Sequence, residues 1–233
     1  MALDKGVALI PSNQHLNQYT GLPLTEEQVQ NTVALVTQRE LVRNGVRCEI
    51  FHVPGAGSSS VDELLKAIED CNARGPWDVV VAQHSDACYD AAITGVLGIV
   101  YNQERVAWGQ WICGPLSQKL GLPYRGVWNT KDYKSFAVIT RTLAPAIIIE
   151  VGEHATESEA AWIVENVPRI GLATAHAVLE AHGVPIIPDE PVSMSKLFQG
   201  YPDNSGYHWQ EPTTRKMADT ILYRHLVRDH GWS

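Results

Sequence analysis

Two runs, "DVVVA" (78–82) and "AIIIE" (146–150), carry apolar residues at several consecutive positions. A strand with one wet face alternates apolar and polar residues; a strand covered on both faces does not. These runs therefore predict central strands of a sheet with helices on each side. Four further β-rich runs accompany them: "GVALIPS" (6–12), "RCEIFHV" (47–53), "GVLGIVY" (95–101) and "FAVITRT" (136–142). Helical stretches lie between. Residues 25–45 open on Thr25 with Glu26 and Glu27 in the first turn, and close on Arg43 and Gly45, the order of a capped helix. Residues 60–75 run from Ser60 and Glu63 to Gly75. Residues 103–121 and 164–183 supply two more, each interrupted by proline. Strands alternating with helices predict an α/β fold: a single, largely parallel (mixed), twisted sheet of about six strands with helices on both faces.

After Val184 the texture changes to a proline-rich "PIIPDEPVSMSK", an aromatic "GYHWQEP" and a short amphipathic stretch with Met217, Ile221, Leu222 and Leu226 on one side. The expected division is a body over 1–187 and a C-terminal extension over 188–233. The extension reads either as a helix packed on the body or as a small targeting or dimerising element.

Composition narrows the function. Hydrophobic residues make up 45% of the 233, enough for a sizeable core. The formal net charge of -8 excludes the basic face that a nucleic-acid binder needs, and a polybasic membrane clamp. No run is long enough to span a bilayer. The start, "MALDKGVALIPSN", lacks the pattern of a signal peptide, which predicts synthesis in the cytoplasm without export. The cysteines, Cys48, Cys71, Cys88 and Cys113, form no CxxC pair and read as reduced, small hydrophobes.

In such sheets ligands collect beyond the carboxyl ends of the strands, so the strand ends are where chemistry is expected. The first ends in "PSNQHLN" with His15. The third ends in "AQHSDA" with His84. The last ends in "IIEVGEH" with Glu150, followed by Glu153 and His154. Glu26 and Glu27 open the helix after the first strand. Two imidazoles and a carboxylate around one open position are a hydrolytic zinc arrangement. A further carboxylate takes a proton from water and hands it to a leaving amine; Glu150, at the end of a very apolar strand, is placed for this, with its pKa raised by desolvation. Structural readings stand beside these. Each histidine suits a hydrogen-bonded strand end, Glu26 and Glu27 suit the helix dipole, and Glu150 suits an ion pair with Arg125 or Arg141. His52 and His154 are rival ligands.

The order of these elements resembles the zinc-dependent N-acetylmuramoyl-L-alanine amidases of the amidase-3 family, which include many phage endolysins. The resemblance covers roughly residues 6–184. The family places a zinc histidine after its first strand, and "PSNQHLN" supplies His15. A glutamate four residues before an asparagine is the second ligand; in "TEEQVQN" the spacing to Asn31 selects Glu27. The third is a strand-end histidine, His84 in "QHSDA", with Asp86 where asparagine is usual. "YRGVWNT" matches an Arg-Gly-Val motif and contributes Arg125. "LAPAIIIEVGE" matches the stretch that carries the essential glutamate, Glu150. The Pro-Gly-His-Gly-Gly usual around the first ligand is absent.

The resemblance implies one zinc ion held by His15, Glu27 and His84, with Glu150 and Arg125 catalytic, cleaving the amide between N-acetylmuramic acid and L-alanine in peptidoglycan. Arg125 would meet a stem-peptide carboxylate or a developing oxyanion, or serve in a structural ion pair, and Trp128 and Tyr133 would stack on sugar or peptide. A lysin that reaches the cell wall during phage release fits the missing export signal. Two alternatives share the sequence features: another zinc amidohydrolase or carboxypeptidase acting on wall peptides, and a non-catalytic wall-binding module.

Overall fold

The computed structural model describes residues 3–52, 60–88, 94–131 and 136–188. The C-terminal helix and the "GYHWQEP" stretch expected from the sequence, and Tyr133, lie outside the described residues. By compactness the chain divides into Met1–Ile186 and Ile187–Ser233. All elements named below belong to the first unit.

β1 (Val7–Leu9) leads to α1 (Glu26–Arg43), β2 (Cys48–Ile50) and α2 (Ser60–Arg74). β3 (Val79–Asp86) and β4 (Val96–Val100) follow, then a 3-10 turn (Gln103–Arg105) running into α3 (Val106–Leu120). β5 (Tyr124–Asn129), α4 (Ala137–Arg141), β6 (Ala146–Glu153), α5 (Glu157–Glu165) and α6 (Val167–Ala181) complete the order. Thr25 caps α1 as its sequence predicts. The Gln28 amide donates to Thr25 Oγ1 at 3.3 Å, and the Thr25 amide donates to Gln28 Oε1 at 3.0 Å, a reciprocal box that fixes Glu26 as the first helical residue.

The sheet order is β2-β1-β3-β6-β4-β5. β4 runs antiparallel to β6, and the other neighbours are parallel. The reversal has a functional consequence. The carboxyl ends of β1, β3 and β6 share one edge with the amino ends of β4 and β5. Leu97 is opposite Glu150 on one side and Gly126 on the other, so Arg125 reaches the edge where β3 and β6 finish.

The fold class expected from the sequence is the one observed, with two elements reassigned. Residues 136–142 were expected to be a strand; they contain α4. Val138 and Ile139 bury in the same cluster as Ala146 and Ile148. The Thr140 and Thr142 hydroxyls donate back to Phe136 O and Val138 O at 2.9 and 2.8 Å, which seats both threonines without breaking the turn. The missing strand is β5, an edge strand whose Tyr124 and Trp128 are exposed, so it shows no apolar run. The single helix expected over 164–183 is the end of α5 plus α6. Asn166 Nδ2 donates to Trp162 O at 2.8 Å to close the first, and Pro168 sits in the opening turn of the second, where its missing amide costs nothing.

Two apolar clusters sandwich the sheet. One gathers α1, α3, α5 and α6 on Val7, Leu9, Val81, Ile147 and Ile149. The other gathers α2 and α4 on Ala8, Val80, Leu97 and Ile148. α6 crosses α1 closely at Gly171, where a Cβ would lie 2.6 Å from Val36 Cβ. Cys48, Cys71 and Cys113 are buried as free thiols. Burial pushes Cys71 and Cys113 up to about 12, so they are inert packing residues. No helix of the described residues is long and apolar enough to cross a membrane.

Candidate active site

At the shared edge His84 and Glu150 are direct partners across the β3–β6 ladder. Glu26, at the start of α1, reaches the same place: its Oε1 lies 2.9 Å from His84 Nδ1. Its Oε2 accepts from Asn17 Nδ2 at 3.2 Å, and the Ser85 amide donates to Oε1 at 3.4 Å. Glu26 is 1% exposed. Burial alone would raise its pKa and lower that of His84. Their mutual hydrogen bond and charge reverse both, so Glu26 is lowered and His84 raised. Glu150 has no such bond. Desolvation lifts it to about 7, with Glu26 and Asp86 adding to the rise, and His84 and Arg125 opposing it. Its Oε2 is buried and has no hydrogen-bond partner among the described residues.

The ladder is irregular here. His84 faces Glu150 and Asp86 faces Glu153, so Ser85 alone spans Val151 and Gly152. This bulge needs one residue in the left-handed region, and Gly152 supplies it at φ 72. A Cβ there would also meet Ile163 at 2.9 Å. The glycine of the "EVG" stretch is thus a backbone requirement that re-aims Glu150 and the residues after it.

Beyond the bulge, Arg125 NH2 lies 2.9 Å from Asp86 Oδ2. Arg125 NH1 is buried and has no hydrogen-bond partner among the described residues. Glu153, fully buried, accepts from the Cys88 amide at 2.6 Å, from Cys88 Sγ at 2.8 Å and from the Ala155 amide at 2.7 Å. Asp86, Cys88 and Glu153 each bring a ligand-type atom within 4.8 Å of the others. Two of the three carry partners that stabilise them without an ion: Arg125 on Asp86, and two backbone amides on Glu153.

The residues singled out in the sequence are distributed as follows. His84 and Glu150 come together, and Arg125 faces them across Asp86. Glu27 lies instead on His52, with 3.0 Å between His52 Nε2 and Glu27 Oε1. His15 Nδ1 is 3.9 Å from Glu63 Oε2. Glu26 lies beside His84, and Glu27, selected by the spacing to Asn31, lies beside His52. His154 Nδ1 is 2.9 Å from Ser85 Oγ. Trp128 is level with Ile148, two residues down the sheet from Glu150. The sequence reading does not reach the pairing of Asp86 with Arg125 or the contact of Tyr19 with Ser85; Asp86 and Ser85 lie in "QHSDA", but the motif does not show what they bond.

A carboxyl near neutrality beside a histidine–carboxylate pair thus stands at the strand ends of a mixed α/β sheet. The N-acetylmuramoyl-L-alanine amidase family (amidase-3) matches residues 15–180, and the chain belongs to that family. No curated protein matches it by sequence. Among solved structures it is similar to the catalytic domain of the amidase CwlV from Bacillus (Paenibacillus) polymyxa var. colistinus. That match has 18% identity and a TM-score of 0.62 over 77% of this chain and 99% of that one. It is similar to the CwlD amidase of Clostridioides difficile, solved with the GerS lipoprotein, at 13% identity and a TM-score of 0.64 over 77% and 100%. The catalytic domain of the CD27L endolysin, which targets Clostridia difficile, matches at 15% identity and a TM-score of 0.62 over 78% and 98%. The fold is that of these catalytic domains, and the chain is an enzyme of the N-acetylmuramoyl-L-alanine amidase class.

Proposed function

We propose that the chain hydrolyses the amide between N-acetylmuramic acid and L-alanine in peptidoglycan, with one zinc ion, and that Glu150 carries the proton. The observation that supports this most is Glu150 itself. It is half-buried beside His84, poised at about 7, with one buried oxygen unengaged among the described residues.

The donor types suit zinc, although His15, Glu26 and His84 do not bring their ligand atoms within 4.8 Å of one another as Asp86, Cys88 and Glu153 do. His84 and Glu26 offer a nitrogen and an oxygen already 2.9 Å apart, the donor types zinc prefers. His15, whose Nδ1 is buried without a hydrogen-bond partner among the described residues, is the third donor in this reading. Glu27, selected first by its spacing, is the alternative to Glu26. Bound there, zinc would polarise the lactyl carbonyl and acidify a water. The rest falls to the chain. Glu150 takes the proton as the water oxygen bonds to the carbonyl carbon. It returns that proton to the alanine nitrogen as the carbon–nitrogen bond breaks. A carboxyl near neutrality is suited to both directions. Arg125, held by Asp86, turns NH1 to a stem-peptide carboxylate or to the carbonyl oxygen as charge builds on it.

A lytic role in phage release, and with it antibacterial use, is the setting we attach to this chemistry. It is supported by the likeness to an endolysin catalytic domain. The test is direct: digest purified peptidoglycan and identify the residue that bears each new amino group. N-terminal L-alanine, lost on chelation and restored by zinc, supports the reading. A new amino terminus within the stem peptide would assign the chain to another amidohydrolase. Wall binding without turnover would make it a binding module.

A further inference from the structure

Beneath Glu26 lies a buried chain of side chains that the proposed chemistry does not use. Gln30 Nε2 is 3.2 Å from Tyr19 OH. Tyr19 OH is 2.8 Å from Ser85 Oγ. Ser85 Oγ is 2.9 Å from His154 Nδ1. The His154 ring stacks on Tyr19 at 4.9 Å between centroids and 16° between planes. Tyr19, Ser85 and His154 are 1%, 4% and 2% exposed. Gln30 Nε2 donates to the phenol oxygen, and the hydroxyls of Tyr19 and Ser85 each act as donor or acceptor along the chain to His154 Nδ1.

Ser85 is the residue that the bulge leaves alone between two ladder partners. Sheet pairing therefore does not fix it. Yet its amide contacts Glu26 Oε1, and its neighbour is His84. We infer that His154, through Ser85 and Tyr19, is a positioning residue that holds Glu26 and His84 in their shared geometry where the sheet cannot. The backbone of His154 serves the same end. Its amide donates to Asp86 O at 2.9 Å, and its carbonyl accepts from the Thr20 amide at 3.0 Å. One residue thus ties β3's exit to the loop before α1. The same residue walls a cavity of about 280 Å³, shared with Asn17, Gln18, Thr20 and Ala87.

The inference rests on the proposed amidase reading, and the experiment separates the two. Tyr19→Phe removes one hydroxyl and keeps the stacked ring. His154→Leu removes the bond to Ser85, and His154→Gln restores an amide that reaches it. Each variant is compared with wild type for kcat and KM on purified peptidoglycan, for zinc affinity by chelator competition, and for thermal melting. Partners behind a ligand typically change affinity or activity by about 10–100-fold. Tyr19→Phe and His154→Leu should therefore lose kcat on that scale, with KM within about 2-fold, and bind zinc about 10-fold more weakly; His154→Gln should recover most of both. If His154→Leu does not fold, Tyr19→Phe and His154→Gln decide. Wild-type kcat and zinc affinity in Tyr19→Phe, or a change in KM alone, would overturn the brace. A wild-type protein that releases no amino groups would defeat the amidase reading instead, while zinc competition would still report on the brace.

Discussion

Glu150, half-buried, and Glu26, buried, are carboxylates at one strand edge, and their neighbours send them in opposite directions. Glu26 is bonded to His84 and stays ionised. Glu150 is desolvated without an equivalent bond, and its proton is exchangeable near neutrality. Glu150→Gln should therefore reduce kcat by about 10²–10⁴-fold, the range for loss of a general acid–base group, with the melting temperature kept or raised. Turnover within about 3-fold of wild type would remove Glu150 from the mechanism. Glu26 and Glu27 are separated by a paired test. Glu26→Gln should weaken zinc binding at least 10-fold, and Glu27→Gln, whose carboxylate lies 3.0 Å from His52 Nε2, should weaken it less. The opposite order would return the ligand role to Glu27. At this scale the sequence shows which residue types are available, and less of how they pair. His15, His84 and Glu150 are legible because each ends an apolar run or sits just beyond one. The choice between Glu26 and Glu27 depends on which way the first helical turn faces, and a spacing to Asn31 does not report that.

At the scale of elements, the bulge between β3 and β6 is the feature on which the site depends. Gly152 is its hinge, at positive φ and against Ile163. Gly152→Ala should cost about 1–3 kcal/mol by denaturant unfolding and lower kcat together with stability, since Glu150 is two residues away. An alanine variant as stable as wild type would show that the bulge is not required. A second element-level device joins α1 to α6. Glu40 is buried, and His176, Arg43 and Asn44 all bond to its carboxylate. Burial raises its pKa, but those bonds outweigh it and hold the group at about 2. The unfolded chain takes up this proton near the ordinary carboxylate value, so the contribution to stability is complete above that value. It is lost as pH falls toward about 2. Between pH 6 and pH 3 the wild type should lose about 1 kcal/mol more stability than Glu40→Gln, after allowing for solvent screening of the partly exposed Arg43. Equal losses would leave the clamp without a role. Elements were legible where both faces of a strand are apolar or a helix carries its caps. β5 and α4 were exchanged because a half-exposed edge strand hides its pattern, and because a β-branched run, Val138 to Thr140, folds as one helical turn when its threonines bond backwards.

For the molecule as a whole, the mixed sheet is what assembles the site. Only because β4 runs against β6 does Arg125, distant in sequence from His84 and Glu150, arrive at their edge. The parallel core was readable from "DVVVA" and "AIIIE"; the reversal of β4 and β5 was not, since a strand's residue pattern reads the same in both directions. The described elements all lie within residues 7–181, and the family matches 15–180. A fragment ending at residue 188 should therefore unfold cooperatively and hydrolyse soluble muropeptides within about 3-fold of the full chain's kcat/KM. A fragment that folds but is inert would place part of the active site in residues 189–233. The most direct measurement is N-terminal analysis of purified peptidoglycan digested by the zinc-loaded protein, beside Glu150→Gln. The account predicts new amino groups on L-alanine from wild type and almost none from the variant. Amino groups on any other residue, or equal release by Glu150→Gln, would contradict it.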